Sequence, residues 1–455
     1  MDFLNDDYLL TNDEAKNIYN EIRDLPIIDP HNHSDLKEII DNENWQDIWE
    51  VEGQTDHYIW QLMRRMGIKE DKITGKASNK EKWKAFADVF PSFALNPVFE
   101  WMQLDLKNIF GIEKLLNSSN ADEIWHITKL KLQKNDYKPR SLLKKMKVEI
   151  MCTTDDPISD LKYHKQAKDE LENIEVYPTW RPDSYSKIEK DKWQENVIEL
   201  IKKYLNTNDL SLNNLLKALE KSHSFFDKLG CVSSDHDLPD LMSKEVNFKQ
   251  AENIFNKRLN QELSNNEIIN FKAFMLNYYA ELNRKKDWIM QLHIGVSRNY
   301  RQSLLDNVGI NSGGDIIGSG VNIVDGLSYL LNTFEDLKIV AYIINDNYLQ
   351  PLVSIARAFP NFNLGSSWWF NDSAYGMNKH LEHIAAIDIL AKQTGMVTDS
   401  RKILSYSSRT EVYRRSLSNL LGKRVLKQQL PISLAEKIAV DLSYNRPLEL
   451  FFKNK

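Results

Sequence analysis

Two histidines one residue apart, His31 and His33, close the apolar run LPIIDP near the N-terminus. In an extended segment residues i and i+2 share a side, so both imidazoles can reach one ion. The bland alternative is a pair of polar residues satisfied by their neighbours at a strand end, and the spacing alone leaves both open. Asp399, in GMVTDSR, offers a hard carboxylate that would complete a two-histidine, one-carboxylate set with open positions for substrate or water. It could otherwise cap the helix that follows; beside the histidines the ligand role is favoured. Such a set holds one divalent ion, with zinc the default and manganese or iron suited to the same donors.

Other chemistry-bearing residues sit at similar places. His293, in MQLHIG, is a further ligand, a hydrogen-bond donor to substrate or a structural histidine, and Asp235 and His236 in SSDHDL pose the same choice. Arg181 in TWRPD and Arg401 in TDSR present forks that pair with a carboxylate, which suits an anionic substrate; the alternative is a salt bridge to a nearby aspartate. Trp368 and Trp369 could stack on a sugar face or fill a core, and strand alternation allows one of the two to line a site. Tyr58, in DHY, is an acid–base candidate if its segment folds over the site, and otherwise part of a helix start.

Eight short apolar runs carry these residues, at 25–33, 148–157, 174–183, 229–238, 288–295, 337–346, 362–372 and 395–401. They are near-continuous rather than alternating, as expected of strands buried on both faces of a parallel sheet. Segments between them, such as MNKHLEHIAAIDILAKQ, have helical periodicity. Repeated strand–helix units predict an α/β fold, a distorted (β/α)8 barrel of the TIM type. Most runs turn polar at their C-terminal ends, which in such a barrel converge on the rim where active sites are built. The long gap after the first run predicts a helical insertion over 41–140, against or over that rim, within one domain spanning 1–455.

Composition narrows the class. Apolar residues make up 42% and charged residues 27%, the mix of a soluble, well-cored protein. A net charge of −6 leaves no basic footprint for nucleic acid. No run approaches the roughly 20 apolar residues needed to span a bilayer, so no membrane partner is expected. The acidic start lacks a signal-peptide core, and a cytoplasmic location is expected. Cys152 and Cys231 cannot build a disulfide framework and read as buried thiols. The oligomeric state is open, a homo-oligomer included.

Taken together, IIDPHNH, DHYIWQLMRRMGI, TTDDPISDLKYH, YPTWRPD, VSSDHDL, MQLHIGVSRN, WWFND, GMVTDSRKILSYSSR and EVYRRSLSNLLG occur in one order from about residue 27 to 422. In this the chain resembles the uronate (glucuronate) isomerases, a divergent family of the metal-dependent amidohydrolase superfamily. The resemblance implies aldose–ketose interconversion of hexuronates, D-glucuronate with D-fructuronate and D-galacturonate with D-tagaturonate, by proton transfer through an enediol. It implies metal ligands at His31, His33 and Asp399. It implies substrate or catalytic contacts at His57, Tyr58, Arg181, Asp235, His293, one of the paired tryptophans and Arg401. Asn32, Asp237 and the IIND segment depart from the family pattern without removing a matched residue. The fourth run ends in Ser-Asp-His with no lysine to bridge two metals, which favours a one-metal site. The rival readings are a one-metal hydrolase of a carboxylated ester, lactone or amide, and a catalytically silent sugar-binding barrel.

Overall fold

The computed structural model describes residues 3–453. Seven of the eight apolar runs form strands: β1 (Ile27–Asp29), β2 (Val148–Cys152), β3 (Glu175–Tyr177), β4 (Ser233–Leu238), β5 (Ile289–Ile294), β6 (Ile339–Ile343) and β7 (Phe362–Leu364). They make two parallel sheets, β1-β2-β3 and β4-β5-β6-β7. Trp180 links the sheets, bridging in parallel to Asp155 on one side and Ser234 on the other. β5 and β6 are buried at every position, because both faces are covered.

The eighth run is not a strand. Gly395 and Asp399 take positive φ, +87° and +48°, and a left-handed residue breaks the extended pitch a ladder needs. The segment nevertheless lies between β7 and β1, held by separate hydrogen bonds. The Thr394 amide donates to the Leu364 carbonyl (3.1 Å), and the Asp399 amide to the His31 carbonyl (3.2 Å). The Thr398 amide donates to Asp29 Oδ1 at 2.8 Å.

Between β1 and β2 the chain forms only α-helices and short 3-10 turns, from Leu36–Asp41 to Pro139–Lys145. One of them, α1 (His57–Arg65), starts where DHY suggested. Asp56 caps it, its Oδ1 accepting from the amides of Tyr58 (2.9 Å) and Ile59 (3.4 Å). Two features were not visible in the apolar pattern. Val296–Ser297 and Ile316–Ile317 pair antiparallel beyond β5, and this loop is tied to α1 by Gln61 Nε2 donating to the Gly313 carbonyl at 2.9 Å. The later helices α2 (Asn265–Lys286) and α3 (Ser405–Leu426) back β4 and the Asp399 segment, and α3 is buried along most of its length. Cys152 and Cys231 are buried thiols, not joined in a disulfide. Among the described residues no helix is long and apolar enough to cross a membrane.

Candidate active site

At the C-terminal ends of the strands lies a cavity of about 910 Å³. Its wall includes His31, His33, His57, Arg181, His293, Trp368, Trp369, Asp399 and Arg401. Nine of the twelve residues singled out from sequence therefore share one space. Tyr58, Asp235 and His236 are not on its wall, and all three are buried.

His31 and His33 lie just past the end of β1, in chain held by the Asn32 amide on the Cys152 carbonyl (3.0 Å) and the His33 amide on the Ser400 carbonyl (2.8 Å). That extended stretch turns both rings the same way. Each Nε2 meets the same oxygen, Asp399 Oδ1, at 3.4 and 3.2 Å. Burial drives the His33 imidazole down to about 3, against the pull of Asp399. Burial also works to raise the Asp399 carboxyl, but its hydrogen bonds to His31 and His33 hold it well below the usual range. A neutral imidazole and an ionised carboxylate are the forms that bind metal. Trp368 Nε1 donates to the other oxygen, Asp399 Oδ2, at 2.9 Å and fixes its orientation.

A second group, His31, Asp235 and His293, also brings its ligand atoms within reach of one ion and shares His31 with the first. Here Asp235 Oδ1 accepts from His293 Nδ1 at 2.7 Å, and Arg181 Nη1 stands 3.2 Å from Asp235 Oδ2. Burial opposes ionisation of Asp235, but Arg181, His293 and His31 together hold its carboxyl well below the usual range. A carboxylate already paired with a guanidinium is a poor cation ligand, because the arginine's charge opposes the ion. Its evident work is to fix His293: with Nδ1–H given to Asp235, the other nitrogen, Nε2, is buried without a partner. Two carboxylates on either side of His31 raise its pKa despite burial, the same field that favours a divalent ion. The donor set His31, His33 and Asp399 thus fits a borderline cation such as zinc, manganese or iron.

The tryptophan pair departs from expectation. Strand alternation predicted one ring in the site, yet both line the cavity. The chain leaves β7 before reaching them, and Trp369 takes φ +52° at the start of a 3-10 turn, so the two-residue period no longer applies. Trp369 meets His57 edge-on at 5.2 Å between ring centroids. His57, pushed down to about 4 by burial and then by Arg401, is neutral near pH 7. Tyr58 packs under the guanidinium of Arg409, 5.2 Å from its ring, and its buried hydroxyl has no hydrogen-bond partner. His236 does not face this space. Its Nε2 bonds Ser234 Oγ at 2.7 Å and its ring stacks on Tyr279, a structural role.

Several wall residues were not anticipated. Arg298 sits 4.9 Å above the Trp369 ring and pairs with Asp237 (3.0 Å) and Asp315 (3.1 Å). Lys187 reaches the other oxygen of Asp237 at 2.9 Å. Asp237 had a readable signal, since i and i+2 in SSDHDL place it on the same side of β4 as Asp235. Arg298 and Lys187 lie in loops, and nothing local marks a loop cation as facing a cavity.

Parallel strands whose C-terminal ends converge on imidazoles, carboxylates and guanidiniums define an α/β enzyme with a centre suited to a small polar anion. The glucuronate isomerase family model matches residues 1–451, and the chain belongs to that family. It is therefore an isomerase, and the rival hydrolase reading is not favoured. The uronate isomerase of Thermotoga maritima is 48% identical over 452 residues, covering 99% of this chain and 100% of its own length. A crystal structure of the Thermotoga maritima uronate isomerase superposes with a TM-score of 0.97, covering 99% of this chain and 100% of that one. Glucuronate isomerase from Caulobacter crescentus, 27% identical, superposes at 0.94 over 99% of this chain and 97% of its own.

Proposed function

We propose that this chain interconverts D-glucuronate with D-fructuronate, and D-galacturonate with D-tagaturonate. The observation that carries the reading is the convergence of His31, His33 and Asp399 in the same cavity as Arg401, Arg181 and His293. We read the seven strands and the 394–400 segment as a distorted (β/α)8 barrel, with 41–140 as a helical insertion that contributes His57 and Tyr58. In this reading the protein is a soluble cytoplasmic enzyme of one domain.

His31, His33 and Asp399 would hold one divalent ion, zinc by default, which when bound supplies Lewis-acid polarisation of a substrate oxygen. Arg401 or Arg181, both on the cavity wall, clamps the substrate carboxylate through its fork. The reaction removes the proton on C2 and protonates the C1 carbonyl oxygen, giving an enediol. Loss of the O2 proton and return of a proton to C1 completes the ketose. His293 Nε2, with its ring held by Asp235, and the unpartnered Tyr58 hydroxyl are the groups suited to carry these protons, with Asp399 the alternative base. Trp368 and Trp369 give the sugar an apolar face.

Purified protein incubated with each hexuronate in D₂O and followed by NMR tests the reading. Ketose should form, and His31→Ala should abolish it together with bound metal. Unchanged sugars with fully metal-loaded protein would sink the proposal.

A further inference from the structure

Behind the cavity, where the Asp399–Arg401 segment meets the start of α1, lies a buried ion cluster whose own side chains are not on the cavity wall. At its centre is Lys402, whose side chain is 6% exposed. Its Nζ lies 2.5 Å from Glu52 Oε2 and 3.1 Å from Asp56 Oδ2. Both carboxylates are fully or almost fully buried. A third acid, Asp105, stands nearby in the helix Pro97–Asn108, and burial with the charge of Glu52 pushes its carboxyl well up. One ammonium is thus shared by two acids: burial pushes the Glu52 carboxyl up, while Lys402 holds the Asp56 carboxyl below its usual range against burial.

A lysine is a costly way to fill such a space, since an apolar side chain of similar volume carries no desolvation penalty. The connections suggest what the charge does. Lys402 is bonded in sequence to Arg401 and lies three residues from Asp399. Asp56 divides its two oxygens: Oδ2 takes the ammonium, and Oδ1 caps α1 through the amides of Tyr58 and Ile59. One carboxylate therefore joins the segment that carries Asp399 and Arg401 to the first turn of the helix that presents His57. Glu52, from the preceding helix Ile48–Glu52, makes the grip two-pronged.

We propose that Lys402 is a positioning residue, whose paired contacts with Asp56 and Glu52 set His57 and Tyr58 at their distance from Asp399 and Arg401. The inference rests on reading this cavity as the isomerase centre, and it adds a residue outside the cavity to the reaction's requirements. Displacements of about 1 Å at a reacting centre can lower turnover about 10²-fold.

The test compares Lys402→Met, Asp56→Asn and the double variant with the wild type, all metal-loaded and assayed well below their melting transitions. Asn at position 56 keeps the helix cap while losing the charge. Each single variant should lose about 10- to 100-fold in kcat with KM little changed and metal content intact. The double variant should lose no more than the worse single, because both break one link. Wild-type kcat in Lys402→Met with only a lowered Tm would overturn the proposal, leaving a purely structural ion pair. If that variant does not fold, wild-type kcat in Asp56→Asn overturns it equally. A His31→Ala arm separates the premise: full turnover there would overturn the reading of the site itself, whatever Lys402 does.

Discussion

Two groups in this protein have the same composition, two histidines and one aspartate, and share His31. On the proposed reading they do different work. In one, Asp399 receives two imidazoles on one oxygen and a neutral indole N–H on the other. In the other, Asp235 receives an imidazole N–H on one oxygen and faces a guanidinium at the second. The first leaves a carboxylate with no guanidinium beside it and two imidazole nitrogens converging on one oxygen, the donor set the proposed reading gives to a metal. The second spends its charge on Arg181 and leaves His293 oriented. Ligand types at a plausible spacing do not decide between a metal site and a proton-carrying histidine; the partner on the far side of each carboxylate does.

This contrast can be broken by exchange of single atoms. Asp399→Asn should lose the metal and at least about 10³-fold in kcat, since a bound ion's charge stabilisation is worth several kcal/mol. Elemental analysis alongside the isomerase assay reads both. Asp235→Asn should keep the metal and lose about 10²-fold in kcat, because His293 is no longer held in one tautomer. Metal retained in Asp399→Asn and lost from Asp235→Asn would invert the assignment. Tyr58→Phe should lose about 10²-fold or more in kcat if the unpartnered hydroxyl carries a proton, and wild-type turnover would remove it from that role. Trp368→Phe strips the neutral donor from Asp399 and should weaken metal affinity roughly 10-fold to 100-fold, measurable by competition with a chelator.

The smallest effect belongs to a histidine outside both groups. His223 is buried beside Trp288 with Nε2 3.1 Å from Asn283 Oδ1, and burial pushes it down to about 4. Its folded value lies below the unfolded one, near 6.5, so the unfolded chain takes up the proton first as pH falls. The stability this neutral ring contributes is fully present above about pH 6.5 and is lost as pH falls towards 4, at about 1.4 kcal/mol per pH unit. His223→Gln should flatten the acid limb of a urea-unfolding series by that slope, without altering metal content at neutral pH.

The difference between legible and hidden features follows the range of the forces that make them. Ile289–Ile294 reads as a buried strand because six apolar or shielded residues in a row need two covered faces, and that is where β5 lies. The Asp56 cap and the amphipathic turn after it are equally local, and α1 begins where DHY indicated. The i,i+2 rule placed His31 and His33 on one side, although the strand itself ends at Asp29 and tertiary hydrogen bonds keep the chain extended. The rule failed at Trp368 and Trp369, where a left-handed residue ended the alternation, and at 395–401, where Asp399 did the same. Arg298 and Lys187 reach the cavity from loops whose paths are set by Asp237 and Asp315.

From the sequence by itself came the parallel α/β character, the helical stretch between β1 and β2, the family, and nine of the residues that share the cavity. Those follow from hydrophobic periodicity and from motif order, which are properties of neighbours along the chain. Only the tertiary structure decided which aspartate is paired with a guanidinium, which nitrogen of His293 is left unpartnered, and that Lys402 ties two walls of the site together. Each of those depends on a partner tens to hundreds of positions away, brought within about 3 Å by packing, where burial magnifies the electrostatic consequence of every neighbour.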